Sequence, residues 1–213
     1  MTLPVAGNPL SFSAIRSETN STGATDVSTL AYNSNEYRAQ FDDLKNTPHA
    51  FSEWYGYDHT IIWEHEVTVG YSTYTISGTT YDLYGFDSTA LDAYGVRSQD
   101  FGAISESSPR WAQVYLNVGW LLWDENEACL LFYMYRSVGA TLWGNTGFTS
   151  IQISAGANGV GPLNRTAATY NASDGSTTDP RFEFWKWTHA NVGGLNVSPF
   201  GTTVNATATV RWR

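Results

Sequence analysis

Few residues in this chain stand at spacings that could do chemistry, and each set has a plainer use. Glu64-His65-Glu66 brings two carboxylates and an imidazole together. Along a strand, however, Glu64 and Glu66 share a face that His65 does not, so the three cannot converge locally on a metal ion. Asp124-Glu125-Asn126-Glu127 offers oxygens for calcium. It lacks the Asp-x-Asp-x-Asp-Gly spacing that wraps the ion, and its residues read as turn formers. The four histidines, His49, His59, His65 and His189, lie in no nucleophile context, and no Gly-x-Ser-x-Gly occurs. A glycosidase needs two carboxylates across one cleft, and nothing in the order of residues singles out a pair. No glycine-rich loop suited to phosphate is present. No catalytic residue, no metal and no cofactor are therefore expected. One set of rings remains. Tyr94, Trp111, Trp143 and Trp185 could stack on sugar faces beside Asp and Asn. The competing use of such rings is to fill a core or an interface, and aromatics on most of the expected strands favour it.

The elements that would position these residues are mainly strands. From Thr60 onward, short runs rich in Thr, Val, Ile, Tyr, Phe and Trp alternate with Gly, Asn, Asp, Ser and Pro. Such runs fit a pleated, half-buried surface and such punctuation makes turns. Glu64 to Tyr71 alternates with Val67, Val69 and Tyr71 on one face, and Thr79 to Tyr84 continues in kind. Leu83 to Gly102 is rich in Asp, Gly and Ser and reads as a long loop. Trp111 to Trp123 and Cys129 to Tyr135 are the most apolar stretches, so they should be central strands buried on both faces, with 124–127 as the hairpin turn between them. Gly156 to Pro162 and Ala172 to Pro180 read as exposed loops. In the closing run, Ala206, Ala208, Val210 and Trp212 fall on one face and Thr207, Thr209, Arg211 and Arg213 on the other. That period of two predicts an antiparallel strand with one wet side. Pro199-Phe200-Gly201-Thr202 before it predicts a tight corner with Phe200 tucked inward. The whole predicts a mostly β chain: an antiparallel, jelly-roll-like β-sandwich over 59–213 with an N-terminal arm over 1–58.

The arm differs in texture. Ser11 is placed to cap a short helix with Phe12 and Ile15 on one side. Pro9-x-x-Phe12-Ser13-x-Ile15 and Pro48-x-x-Phe51-Ser52-x-Trp54 share spacing and chemistry, and Asp26 to Leu30 is a weaker third copy. Each would be a helix of one or two turns, too short to stand alone. The apolar residues of 1–58 are too few and too dispersed for an independent core. They need a partner, either the chain's own sandwich or neighbouring subunits. Phe12, Ile15, Phe51, Trp54 and Tyr55 are the expected interface anchors.

Composition narrows the function classes. The chain has 213 residues, a net charge of −9 and 15% aromatic residues. Acid exceeds base in both parts: 3 basic against 7 acidic residues over 1–58, and 8 against 13 over 59–213. A nucleic-acid surface would need clustered Lys and Arg, so none is expected. The apolar runs fall far short of the roughly 20 residues of a membrane-spanning helix, so no membrane partner is expected. The first residues show no charged segment followed by an apolar one, so no secretory leader is expected. The single cysteine, Cys129, lies inside an apolar run and reads as a buried, inert thiol suited to a reducing compartment.

Two regions carry a resemblance. FTSIQI, LNRTAATY, FEFWKW, PFGTT and the terminal ATVRW, in that order, resemble a β-domain that recurs in structural proteins of tailed bacteriophages. PLSFSAIRSE followed by AFSEWYGYDH resembles an N-terminal module of phage virion proteins, with Ala14 where that family often has an acidic residue. The resemblance implies a virion building block with no catalytic residues, assembled in the host cytoplasm into the neck, tail or capsid surface. Its partners would be other virion proteins and copies of itself. The alternative is a receptor- or glycan-binding module of a phage fibre or spike, with a host-surface glycan as ligand.

Overall fold

The computed structural model describes residues 6, 8–18, 54, 63–88, 100–105, 110–111, 114–115, 117–136, 148–173 and 181–213. The chain divides into two compact units: Met1–Glu64 with Arg110–Val114 and Arg213, and His65–Pro109 with Tyr115–Trp212.

In the first unit, helix α1 spans Phe12–Glu18. Ser11 starts it as the sequence predicts: its hydroxyl oxygen accepts the Ala14 N–H at 3.1 Å, satisfying one of the donors a helix start leaves open. Phe12 is half-buried, Ile15 is fully buried, and the Arg16 guanidinium lies 6.0 Å from the Phe12 ring centre. Trp54 is also fully buried. The second and third helix copies, Phe51, Tyr55 and the 26–30 segment lie outside the described residues.

Among the described residues, strands follow in the order β1 Trp63–Thr68, β2 Gly70–Ile76, β3 Thr79–Asp87, β4 Ala103–Ile104, β5 Arg110–Trp111, β6 Val114–Tyr115 and β7 Asn117–Asp124. Next come β8 Cys129–Arg136, β9 Ser150–Ala155, β10 Asn158–Asn164, β11 Thr169–Ser173, β12 Arg181–Thr188, a short helix α2 His189–Val192, and β13 Thr207–Trp212. One sheet runs β10-β9-β13-β1-β4 and the other β11-β12-β8-β7-β3-β2, while β5 and β6 form a separate two-stranded sheet. The two larger sheets are antiparallel and pack face to face as a β-sandwich. The hairpins β2–β3, β7–β8 and β11–β12 sit in one sheet and β9–β10 in the other, so the chain passes repeatedly between them in a jelly-roll-like way.

Several expected boundaries shift. Val67 and Val69 are fully buried, but Tyr71 does not continue their face: the chain leaves one sheet at Thr68 and enters the other at Gly70. Leu83 to Asp87 is not loop but the end of β3, held because Leu83 and Phe86 are buried and the backbone pairs with β7. The turn-forming residues from Gly156 to Pro162 misled in the same way. Asn158–Asn164 pairs with β9 as an edge strand, with only Gly156 and Ala157 left as the turn. The run from Trp111 to Trp123 is also more than one strand, because Arg110–Trp111 and Val114–Tyr115 make their own small sheet before β7 begins.

Glycines make the crossing feasible. A Cβ on Gly70 would overlap the Gly102 backbone nitrogen, and one on Gly102, whose φ is +68°, would overlap the Gly85 carbonyl oxygen. Three stretches of backbone thus meet with no room for a side chain between them.

The inter-sheet core is aromatic. Phe132 of β8 lies 4.3 Å from Trp212 of β13 between ring centres and 5.2 Å from Trp185 of β12. Phe148, just before β9, meets Trp185 and Trp212 edge-on at 5.2 and 5.1 Å. Offset and edge-on pairs add to the area these rings remove from water. Phe200 is buried and Gly201 takes φ +73°, so the expected corner before β13 forms. Ala208, Val210 and Trp212 face inward, as the alternation predicts.

Strands β7 and β8 are buried on both faces, as their apolar sequences predict. Leu121, Trp123, Leu130 and Phe132 lie on one face; Trp120, Leu122, Leu131 and Tyr133 lie on the other. On the second face Trp120 stacks on Tyr133 at 4.5 Å, within 7° of parallel, and Phe182 and Phe184 of β12 pack beside them.

Candidate functional site

A dense set of polar groups lies at the β7–β8 turn. Asp124 is fully buried, and both of its carboxylate oxygens are satisfied there. Oδ1 accepts the N–H groups of Asn126 and Glu127, each at 3.0 Å, and Oδ2 accepts the Tyr74 hydroxyl at 2.9 Å. The Asn126 side-chain oxygen in turn accepts the Asp82 N–H at 2.8 Å, and the Glu125 N–H donates to the Asp82 carbonyl at 2.9 Å. A buried carboxylate is tolerated when it is so bonded. Burial pushes the Asp124 carboxyl upward and the hydrogen bonds from Glu127, Tyr74 and Asn126 oppose it.

Asp124, Glu127 and Cys129 bring one ligand atom each to within 4.8 Å of one another, a spacing that could hold a metal ion. Their chemistry points elsewhere. Lys186 makes an ion pair with Glu127. Burial pushes the Cys129 thiol up to about 12, so it is protonated in the metal-free chain. Asp124 already has both oxygens in hydrogen bonds. The cluster clamps a turn and ties it to β2 and β12.

His65 shows the same separation of roles. Glu66 is exposed and Glu64 half-buried, while His65 points into the sandwich. Its ring stacks on Trp212, 6.1 Å between centres, and its Nδ1 accepts the Trp212 indole N–H at 3.4 Å. Burial lowers its pKa to about 3, so it is neutral.

The ring residues named from sequence fall out as follows. Trp185 cannot stack on a sugar, which corrects its place among the sugar-stacking candidates. It is fully buried between Phe132, Phe148 and Tyr170, because β12 turns Glu183, Trp185 and Trp187 to the inter-sheet core. Trp111 lies in β5, and Tyr94 and Trp143 lie outside the described residues. Ile15 and Trp54 need correcting as anchors for a neighbouring subunit, since this chain's own atoms already bury both completely. Phe12 keeps partial exposure, and Phe51 and Tyr55 are outside the described residues.

Sequence reasoning missed a groove. About 310 Å³ in volume, it is lined by Phe86, Asp87, Ser88, Asp100, Asn117 and Tyr135, among others. It forms where β3 ends, β4 starts, and the beginning of β7 meets the end of β8. Asp87 is buried and bridges to Phe101 through backbone hydrogen bonds of 3.0 and 3.2 Å. Its lining mixes carboxylates, an amide and a tyrosine with apolar side chains. No local motif marks these residues, which come from four separate elements.

No family model matches the chain, and comparison with curated proteins and with solved structures finds no match.

Proposed function

We propose that the chain is a non-enzymatic structural protein of a tailed-bacteriophage particle. It is held at the neck, tail or capsid surface by permanent contacts with other virion proteins and with copies of itself. Residues 1–58 serve as the attachment arm and 59–213 as the sandwich. The observation that supports this reading is the use made of the ordered C-terminal motifs. Phe148, Ile151 and Ile153 of FTSIQI, Trp185 and Trp187 of FEFWKW, Phe200 of PFGTT and Trp212 of ATVRW are all buried in the sandwich. Motif residues used in this way make a scaffold. Among the described residues, the Asp124, Glu127 and Cys129 cluster lies at a turn that Asp124 closes through two backbone N–H groups.

A second reading, a glycan-binding module, is favoured by the groove beside Asp87, Asp100 and Tyr135. Collisional quenching of tryptophan fluorescence distinguishes the two. Among the described residues, Trp54, Trp120, Trp123, Trp185, Trp187 and Trp212 are buried, so quenching should be slight. A panel of host-surface glycans should leave it unchanged and should show no binding by calorimetry. A glycan that binds, with Tyr135→Ala abolishing its binding, would overturn the ranking.

A further inference from the structure

An open sheet ends in strands whose outward N–H and C=O groups template another strand, and proteins blunt such edges by shortness, proline, bulges or charge. Among the described strands the sandwich has four edges: β10 and β4 in one sheet, β11 and β2 in the other. Strand β4 has only two residues. Strand β10 carries Pro162 and a shift of register between Val160 and Leu163. Strand β11 has five residues, with Asn and Ala among them. Strand β2 has none of these devices. Its seven residues, Gly-Tyr-Ser-Thr-Tyr-Thr-Ile, include no charge and no proline. All seven pair with β3 in unbroken register, from Gly70 opposite Gly85 to Ile76 opposite Thr79. Tyr71 is 43% exposed, and Thr73 and Thr75 are exposed as well. Among the described strands β3 is its one neighbour.

We propose that β2 is an interaction edge, and that its occupant is β2 of a second copy, paired antiparallel about a two-fold axis through Thr73. The sequence is complementary to itself in that register. Tyr71 falls opposite Thr75, Ser72 opposite Tyr74, and Thr73 opposite Thr73. Aromatic–β-branched and Thr–Thr pairs are favourable across antiparallel strands, and like charges would be unfavourable. The chain carries a net charge of −9, yet this contact brings no acid opposite acid along the strand. The Tyr71 hydroxyl donates to Asp82 Oδ1 at 2.6 Å and its ring leans on Tyr84 at 5.1 Å, so the margin is held in shape before any partner arrives. The six-stranded sheets of the two copies then become one continuous sheet. A two-fold contact of this kind is closed, which limits growth through this edge to pairs. The proposal rests on the geometry of the sheet and does not need the phage reading.

Cross-linking of the full-length chain tests the register. The only native cysteine, Cys129, is buried and should not cross-link. In Thr73→Cys the two introduced thiols face each other with Cβ atoms about 5 Å apart, close to disulfide reach. In Thr75→Cys they are four residues apart along the paired strands, about 14 Å, and cannot join. Under mild oxidation Thr73→Cys should give a reducible dimer and Thr75→Cys none. A mixture of Thr75→Cys with Tyr71→Cys should give the dimer again. Failure of Thr73→Cys to dimerise, or equal cross-linking at 73 and 75, overturns the proposal. Neither result touches whether the chain enters a particle.

Discussion

Acid should unfold this protein in part through one histidine. In the unfolded chain His65 titrates near its ordinary value of 6.5, whereas burial against Trp212 lowers it to about 3 in the fold. Between those values the unfolded state binds a proton that the native state refuses. The stability that follows is fully present above pH 6.5 and is lost as pH falls toward 3. The loss runs at about 1.4 kcal/mol per pH unit below the unfolded value and reaches at most about 5 kcal/mol. At pH 4.5 it should be about 3 kcal/mol. The chain also has 20 acidic residues whose titration alters acid stability, so the comparison must be with His65→Gln, which stays neutral and can still accept the Trp212 N–H. Urea unfolding of both proteins between pH 7.5 and 4 gives the answer. The difference in stability should swing in favour of the variant as pH falls. Parallel curves would refute the placement of a neutral His65 in the core.

The remaining expectations concern the core and its crossing. Trp212→Ala removes a fully buried ring touching Phe132 and Phe148, and should cost about 3–5 kcal/mol in urea unfolding. Gly70→Ala puts a methyl group where the Gly102 backbone runs, and should lower the melting temperature more than Gly78→Ala, whose cost is only the strain of its φ of +85° with nothing within 4 Å. Cys129, buried and with its pKa pushed up to about 12, should resist thiol reagents in the native protein and react fully in urea.

Local pattern predicted much of the fold. The alternation in ATVRW placed Ala208, Val210 and Trp212 inward, and the uninterrupted apolar runs of β7 and β8 announced burial on both faces. What failed were boundaries set by composition. Asp, Gly and Ser over 83–102 suggested loop, but Gly85 is there because backbones meet, and Asp87 because β3 extends to a bridge with Phe101. Tyr71 continued the period of Val67 and Val69 while the chain was changing sheets, which a period of two cannot register. The groove drew on residues far apart in sequence, so no spacing could reveal it. Trp185 and Trp187 share a face with Glu183, which left their direction open from sequence alone. The sandwich settles it by burying all three.

We propose that this chain is part of a phage particle. Quantitative mass spectrometry of particles purified by density gradient, from cells producing the chain together with its phage, tests it most directly. A fixed number of chains per particle is expected, retained through high-salt washing if the contacts are permanent as proposed. A chain found only in the soluble fraction, or one washed from particles in variable amounts, would contradict it.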